Sequence, residues 1–376
     1  MSKNYELNEK GQIKDTDPLY DTLDVWHDED EYDKILETIY AIPREQWSNK
    51  LWFRVISALN NKGEFTEAKK EIGALNDRCE TPAEMAKLFY MLGYIFYKSD
   101  QEYKAIECYQ NGMREDPEDT ANLNLQAECD DCMSYITKSL NTLSDLANTV
   151  KETFSGRISE KSDKYDLSDE DFTMLLAFLP TIRKIPQIDR CLGIDDYFLK
   201  YSDNEKEDVL EYLQDWYNIH DKESFIEALQ ESNFGNRYND IVAYLNGTPN
   251  FSLDQLSPSG MTLWNASMDF AKQIQKHVPD GGIYAWDISE RIYLTRVAYS
   301  CDIIGNTDYC SLLLQLTDEA KGKYHSWEEY LIGLVFGAGY YMFCMSNLSL
   351  TEAIEFICSM APLLINSDIP DSKWIA

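Results

Sequence analysis

The densest set of chemically capable side chains in this sequence lies between Ala285 and Tyr330. Asp287, Glu290, Arg291 and Arg296 stand among Trp286, Tyr293 and Tyr299, and Trp327, Glu328 and Glu329 follow a polar turn. Asp287 and Arg291 are four residues apart, so on a helix they face one another and an ion pair worth a few tenths of a kcal/mol is expected. Arg296 lies between Leu294, Val297 and Ala298, and a guanidinium in so apolar a run must find a carboxylate or carbonyl partner. Asp287, Glu328 or Glu329 could supply it. Two readings follow: a buried structural network, or a ligand pocket built from Trp286, Asp287, Arg296 and Trp327 that recognises an anion or an amide.

Other signatures of catalysis are missing. The sequence has no GxSxG elbow, P-loop, HExxH or GxGxxG. No catalytic residue is assigned, and no cofactor or metal is implied. The histidines, His27, His220, His277 and His325, form no constellation. His220 before Asp221 and His325 before Ser326 read as turn packing at helix starts rather than as general bases. Cys129 and Cys132 form the only CxxC, a spacing that also marks one face of a helix, so two partly buried thiols are expected rather than a zinc ligand pair. Nine cysteines, an odd number, suit reduced thiols in a cytoplasmic setting, and Met1 to Glu6 carry no secretory signal.

Charge narrows the partners. With 66 acidic against 34 basic residues the chain carries a formal charge of -32. Such a field repels phosphates, which argues against nucleic acid and anionic membrane as partners. It leaves a solvated acidic surface or a face that receives a basic protein. The uncharged run from Leu331 to Leu350 approaches membrane length and contains Gly333 and Gly337 in a GxxxG. Ser346, Asn347 and Ser349 interrupt it and no basic flank borders it, so a buried central helix is expected.

Apolar residues recur at helical spacing through the chain and sustained alternation is scarce, which predicts an all-α fold. Residues 1–29, ending in an acidic run, read as a poorly ordered lead-in. Residues 30–118 read as helical hairpins, with Trp52, Val55, Ala58 and Leu59 on one face and Phe65, Ala68 and Ile72 on the next. The following pair carries Phe89, Leu92, Gly93 and Phe96, then Ala105, Tyr109, Gly112 and Pro117. This alternation of large and small positions resembles degenerate tetratricopeptide repeats, which implies stacked hairpins with one face left for a partner protein. Trp52, Phe89, Tyr90, Tyr97 and Tyr103 are the aromatic candidates for that face. A bridging helix is expected over 119–155, then a polar linker around Ser155 to Lys164, then a compact all-helical domain over 165–376. Thr81-Pro82-Ala83-Glu84, Ser326 to Glu329 and Ser349 to Glu352 read as capped helix starts.

The C-terminal part resembles the bacterial family catalogued as domain of unknown function 1266. Ala285-Trp286-Asp287-Ile288-Ser289, Arg296, Tyr299 and Ser326-Trp327-Glu328-Glu329-Tyr330 carry the resemblance, as do Leu213 to Asp221, Ala228-Leu229 and Gly235-Asn236-Arg237. The chain departs from the family pattern at Glu290, where the resemblance leads one to expect Arg. The resemblance implies a helical domain and no established chemistry. The expected function is a non-enzymatic cytoplasmic interaction protein, of immunity type, for a basic partner such as a bacterial toxin. The rival is an enzyme or ligand sensor using the Trp286 to Trp327 pocket.

Overall fold

The first turn of a helix leaves backbone N–H groups without acceptors, and short polar side chains before it supply them. In the computed structural model, which describes residues 5–159, 164–178, 197–231, 233–249 and 252–375, Ser48, Thr81, Ser168, Ser257, Ser326 and Ser349 all do so. Thr81 and Glu84 complete a reciprocal capping box. Helices joined by turns make up the described residues, with two isolated bridges, Leu7 to Ile13 and Tyr165 to Ser372. The fold is all-α.

The chain divides into two compact units, Met1–Thr137 and Lys138–Ala376. The first holds α1 (Leu19–Asp28), α2 (Tyr32–Tyr40), α3 (Asn49–Lys62), α4 (Phe65–Asn76), α5 (Pro82–Lys98), α6 (Glu102–Glu115) and the beginning of α7 (Leu125–Ser159). Helices α3 and α4, and again α5 and α6, form hairpins. Gly93 is buried beneath the Tyr109 ring, where a methyl group would collide, so the expected small-against-large packing is present. The described part of 1–29 is not a loose lead-in. Ile13, Leu19, Tyr20 and Leu23 join the core with Leu51 and Ile56, and the Asp17 carboxylate ties the segment down by accepting the N–H groups of Glu6 and Leu19, each at 2.8 Å. Helix α7 begins at Leu125 because Asp119 first accepts the N–H groups of Leu123 (2.7 Å) and Asn124 (3.1 Å) in a turn with left-handed Asp119, Asn122 and Asn124.

The second unit continues α7 and adds α8 (Asp169–Leu176), α9 (Asp203–Tyr217), α10 (Lys222–Glu231), α11 (Phe234–Leu245), α12 (Pro258–Ile274), α13 (Tyr284–Ser300), α14 (Asn306–Lys323), α15 (Trp327–Met345) and α16 (Leu350–Ile365). The stretch expected as a linker from Ser155 is helical to Ser159, anchored by Ser155 Oγ on Glu328 (2.6 Å) and by Arg157 on Asp371 (2.8 Å). Residues 160–163, Pro180 and Pro186 lie outside the described residues.

Helix α13 is buried along its whole length except at Tyr284 and Arg291. Helix α15 is the buried central helix that the uncharged run predicts, and no described helix is long and apolar enough to cross a membrane. The two meet through glycine. A Cβ on Gly333 would stand 2.8 Å from the Gly282 carbonyl, and one on Gly337 would stand 2.6 Å from Trp286 Cβ and 2.8 Å from the Ile283 carbonyl. Backbone and Cβ atoms cannot swing away as a side-chain tip does. Gly337→Ala is therefore expected to cost about 1–3 kcal/mol by overpacking. Gly322→Ala, in α14 with nothing near its added methyl, is expected to stabilise by about 0.5–1 kcal/mol through helix propensity. Urea unfolding of both variants measures this, and equal effects would remove the packing argument.

Candidate functional site

Asp287 leaves the first turn of α13 and is fully buried. Its Oδ1 accepts the Phe234 N–H at 3.0 Å and its Oδ2 the Gly235 N–H at 2.8 Å, so one helix supplies the missing N-cap of another, α11. Glycine is required at 235 because the Tyr284 ring occupies the space a Cβ would need. Burial pushes the Asp287 carboxyl up to about 6, against the lowering effects of the Gly235 N–H, the Arg291 charge and the Phe234 N–H. Arg291 places Nη1 3.4 Å from Glu319 Oε2. The expected direct Asp287–Arg291 pair thus gives way to a shared arrangement: the carboxylate faces the α11 N–H groups while Arg291 reaches Glu319 and acts on Asp287 through its charge.

Arg296 is 1 % exposed and lies beside the Tyr309 phenol. Burial pushes that phenol up to about 12, and the Arg296 charge opposes the rise. Tyr309 stacks on Tyr299 with ring centres 4.3 Å apart and donates to the Tyr197 carbonyl. Asp287 and Arg296 are nine residues apart on one helix, so about 13 Å of axis and half a revolution separate them. The two tryptophans go elsewhere. Trp286 packs on Tyr341 at 4.9 Å, and Trp327 sits among Phe172 (5.1 Å), Trp374 (5.0 Å) and Tyr330 (5.9 Å). Both are buried, as their positions at helix starts beside apolar runs lead one to expect. Among the described residues the four side chains contact different neighbours, because a helix enclosed on most of its sides sends successive side chains to different elements.

Two tyrosines that spacing alone does not mark hold this region together. The Tyr324 hydroxyl accepts the Ala285 N–H at 2.8 Å and donates to the Gly282 carbonyl at 3.1 Å, fixing the entry into α13. The Tyr330 hydroxyl donates to the Leu176 carbonyl at 2.7 Å. Only the Gly281-Gly282 pair hints at so close an approach in the sequence.

In the first unit the five aromatic candidates separate. Trp52 is a core residue, its indole N–H donating to Glu71 at 2.7 Å and its ring packed edge-on against Trp47 at 5.4 Å. Tyr103 is buried as well. Both correct the expectation of an accessible face, because their bulk fills the gaps between hairpins. Phe89, Tyr90 and Tyr97 are half-buried. Tyr97 meets the exposed Tyr135 of α7 edge-on at 5.5 Å. Glu128 and Asp131 lie beside them on α7, and burial together with the Asp131 charge raises the Glu128 carboxyl.

Cys129 and Cys132 face the core with Ala105, Tyr109 and Leu125, and burial pushes their thiols up to about 11 and about 12. Among the described residues no three His, Cys, Asp or Glu side chains converge to hold a metal ion. His220 lies 3.7 Å from Asp221, whose carboxylate accepts the Ser224 N–H at 2.8 Å, in a helix-start turn.

Residues 212–375 match the family described as protein of unknown function (DUF1266), a range that runs from the second half of α9 through α16 and includes both sides of the Asp287 to α11 contact. No curated protein and no solved structure matches the chain.

The raised Asp287 carboxyl fixes the sign of a pH effect. Its folded-state value near 6 exceeds the ordinary unfolded value, so its contribution to stability is full at low pH and is lost as pH rises through 6. The destabilisation caused by Asp287→Asn should therefore shrink by about 1 kcal/mol between pH 5 and pH 7.5. Urea unfolding of both proteins at the two pH values measures the difference, and a penalty that grows with pH contradicts the assignment.

Proposed function

We propose that the protein is a non-enzymatic cytoplasmic binding protein whose acidic surface receives a basic protein partner. One observation carries the reading: Glu128 and Asp131 stand as like charges beside Tyr90, Tyr97 and the exposed Tyr135, and the first of them is partly desolvated. A lysine or arginine from a partner would relieve the repulsion between the two acids. Its stem would pack on the tyrosine rings, which supply contact area and a cation–π surface. The chain's charge of -32 would speed such an encounter by steering. Every cysteine among the described residues is a free thiol, which suits a reducing compartment.

A basic secreted toxin is one partner of this chemistry, the chain then acting as an immunity-type protein. The tetratricopeptide-like pattern of α3 to α6 supports a docking arm of that kind. The rival reading, an enzyme or ligand sensor working from Trp286, Asp287, Arg296 and Trp327, draws no support from a site whose members face four different surroundings.

Capture of partners by the full-length chain, followed by association kinetics, tests the proposal. The partner is expected to be basic, and its on-rate to fall at least several-fold between low and high salt while the off-rate changes less, since steering is screened within about 8 Å at physiological ionic strength. Tyr135→Ala is expected to weaken binding by about tenfold, the loss of one aromatic contact at a binding surface. An acidic or neutral partner, or salt-independent association, removes the basis of the reading.

A further inference from the structure

The first unit opens a cleft of about 1520 Å³ between residues 7–16, the start of α3 and the α4–α5 turn. Its wall is unlike the rest of the chain. Of twenty lining residues five are cationic, Lys10, Lys14, Lys50, Arg78 and Lys87, and five are acidic, so the wall is neutral within a protein of charge -32. Two of the acids are already engaged, the first by Lys10 of the same wall. Glu80 pairs with Lys10 at 2.8 Å, and Glu84 accepts from Asn49 Nδ2 (2.9 Å) and from the N–H groups of Glu80 (3.0 Å) and Thr81 (3.3 Å).

The inner cations lack such neutralisation. Lys87 makes no hydrogen bond or ion pair among the described residues; its half-buried ammonium lies 4.8 Å from the Phe53 ring centre. Lys50 Nζ lies 4.1 Å from the Tyr20 ring centre and 3.1 Å from the Asp15 carbonyl. Arg54 also lies nearby, its charge paired with Asp24. Burial, followed by the charges of Arg54 and Lys50, lowers the Lys87 amine, and Asp24 opposes them. Lys50 also stands in the first turn of α3, which contains no acid, so its charge meets the positive end of the helix. Ser48, Asn49 and Lys50, the cap and first turn of α3, all line the cleft, so the positive end of that helix belongs to the same wall. Clustered cations at a helix start repel one another, and an arriving anion would convert that cost into attraction.

We propose that this cleft binds a small polyanion, a molecule bearing a phosphate or polycarboxylate group, with Lys87 and Lys50 holding the charged group and Phe53 walling the rest. The cleft is large enough for a ligand well beyond a single inorganic ion. The chain's overall charge repels such a molecule at long range, so saturable binding demands a local site.

Titration calorimetry of the full-length chain with inorganic pyrophosphate and with citrate at about 150 mM salt tests the proposal, the salt being chosen to screen the long-range repulsion. One-site binding of either probe is expected, the tighter one naming phosphate or carboxylate as the preferred group. Lys87→Met keeps the alkyl chain over Phe53 and should weaken binding about tenfold, the loss of one charge-assisted contact. Lys373→Met, which removes an exposed ion pair to Asp166 in the second unit, should leave it unchanged. Without probe, Lys87→Met should melt at the same or a higher temperature, because a half-buried amine with no carboxylate bonded to it is replaced by an apolar chain that keeps the contact with Phe53. Absence of binding by both probes overturns the proposal. So does a Lys87→Met variant that binds as tightly as the wild type, or one that melts lower without probe while still binding it.

Discussion

Helix α13 has almost no face for water, and the second unit is arranged around that constraint. A helix enclosed on all sides must match each polar group it carries inside the protein. Asp287 is matched by two N–H groups of α11, the Ala285 N–H by the Tyr324 hydroxyl, and Arg296 lies against Tyr309. Each match is also a fastening. The same carboxylate that would be costly alone supplies the N-cap that α11 lacks, since Asn233 before that helix makes no side-chain cap. Enclosure further requires close approach, and Gly333 and Gly337 let α15 bring its backbone against the entry of α13.

Much of the fold was legible in the sequence because caps and packing positions are local statements. Thr81 with Glu84, Ser326 and Ser349 mark helix starts, and a small residue at Gly93 where two helices approach follows from the tetratricopeptide-like pattern. Residues 5–29 depart from the expected loose lead-in for a related reason. Acidic composition suggests solvation, yet Ile13, Leu19, Tyr20 and Leu23 are few and widely spaced, and only the core built by α2 and α3 turns them into a buried edge. The candidate pocket was less legible. Trp286, Asp287 and Arg296 are neighbours in sequence, but helical rotation points them apart, and their true neighbours come from α11, α14, α15 and α16. Likewise Trp52 looks like a docking aromatic until the helices that cover it are known.

The first unit carries two local departures from an evenly solvated acidic surface, and they are opposite in sign. On one, Glu128 and Asp131 stand together beside tyrosine rings. On the other, Lys50 of α3 and Lys87 of α5 line one cleft in a chain with nearly twice as many acids as bases. Unneutralised like charge is unfavourable in either case, and each cluster favours a visitor of the opposite charge. The deeply buried network around Asp287 differs from both. There the Asp287 carboxylate already has the two α11 N–H groups as partners within the fold.

The enclosure of α13 also sets how the second unit reveals its own opening. Amide hydrogens on a helix with no exposed side exchange with solvent only when the elements around it separate, so those from Ile288 to Ala298 belong to the slowest class, governed by global unfolding of the unit. They form an internal gauge. Anything that binds the native form of this unit and not its unfolded chain lengthens their exchange times by mass action, whichever surface it touches. Fraying at the exposed turns around Gly247 or Asn347 leaves that gauge unmoved.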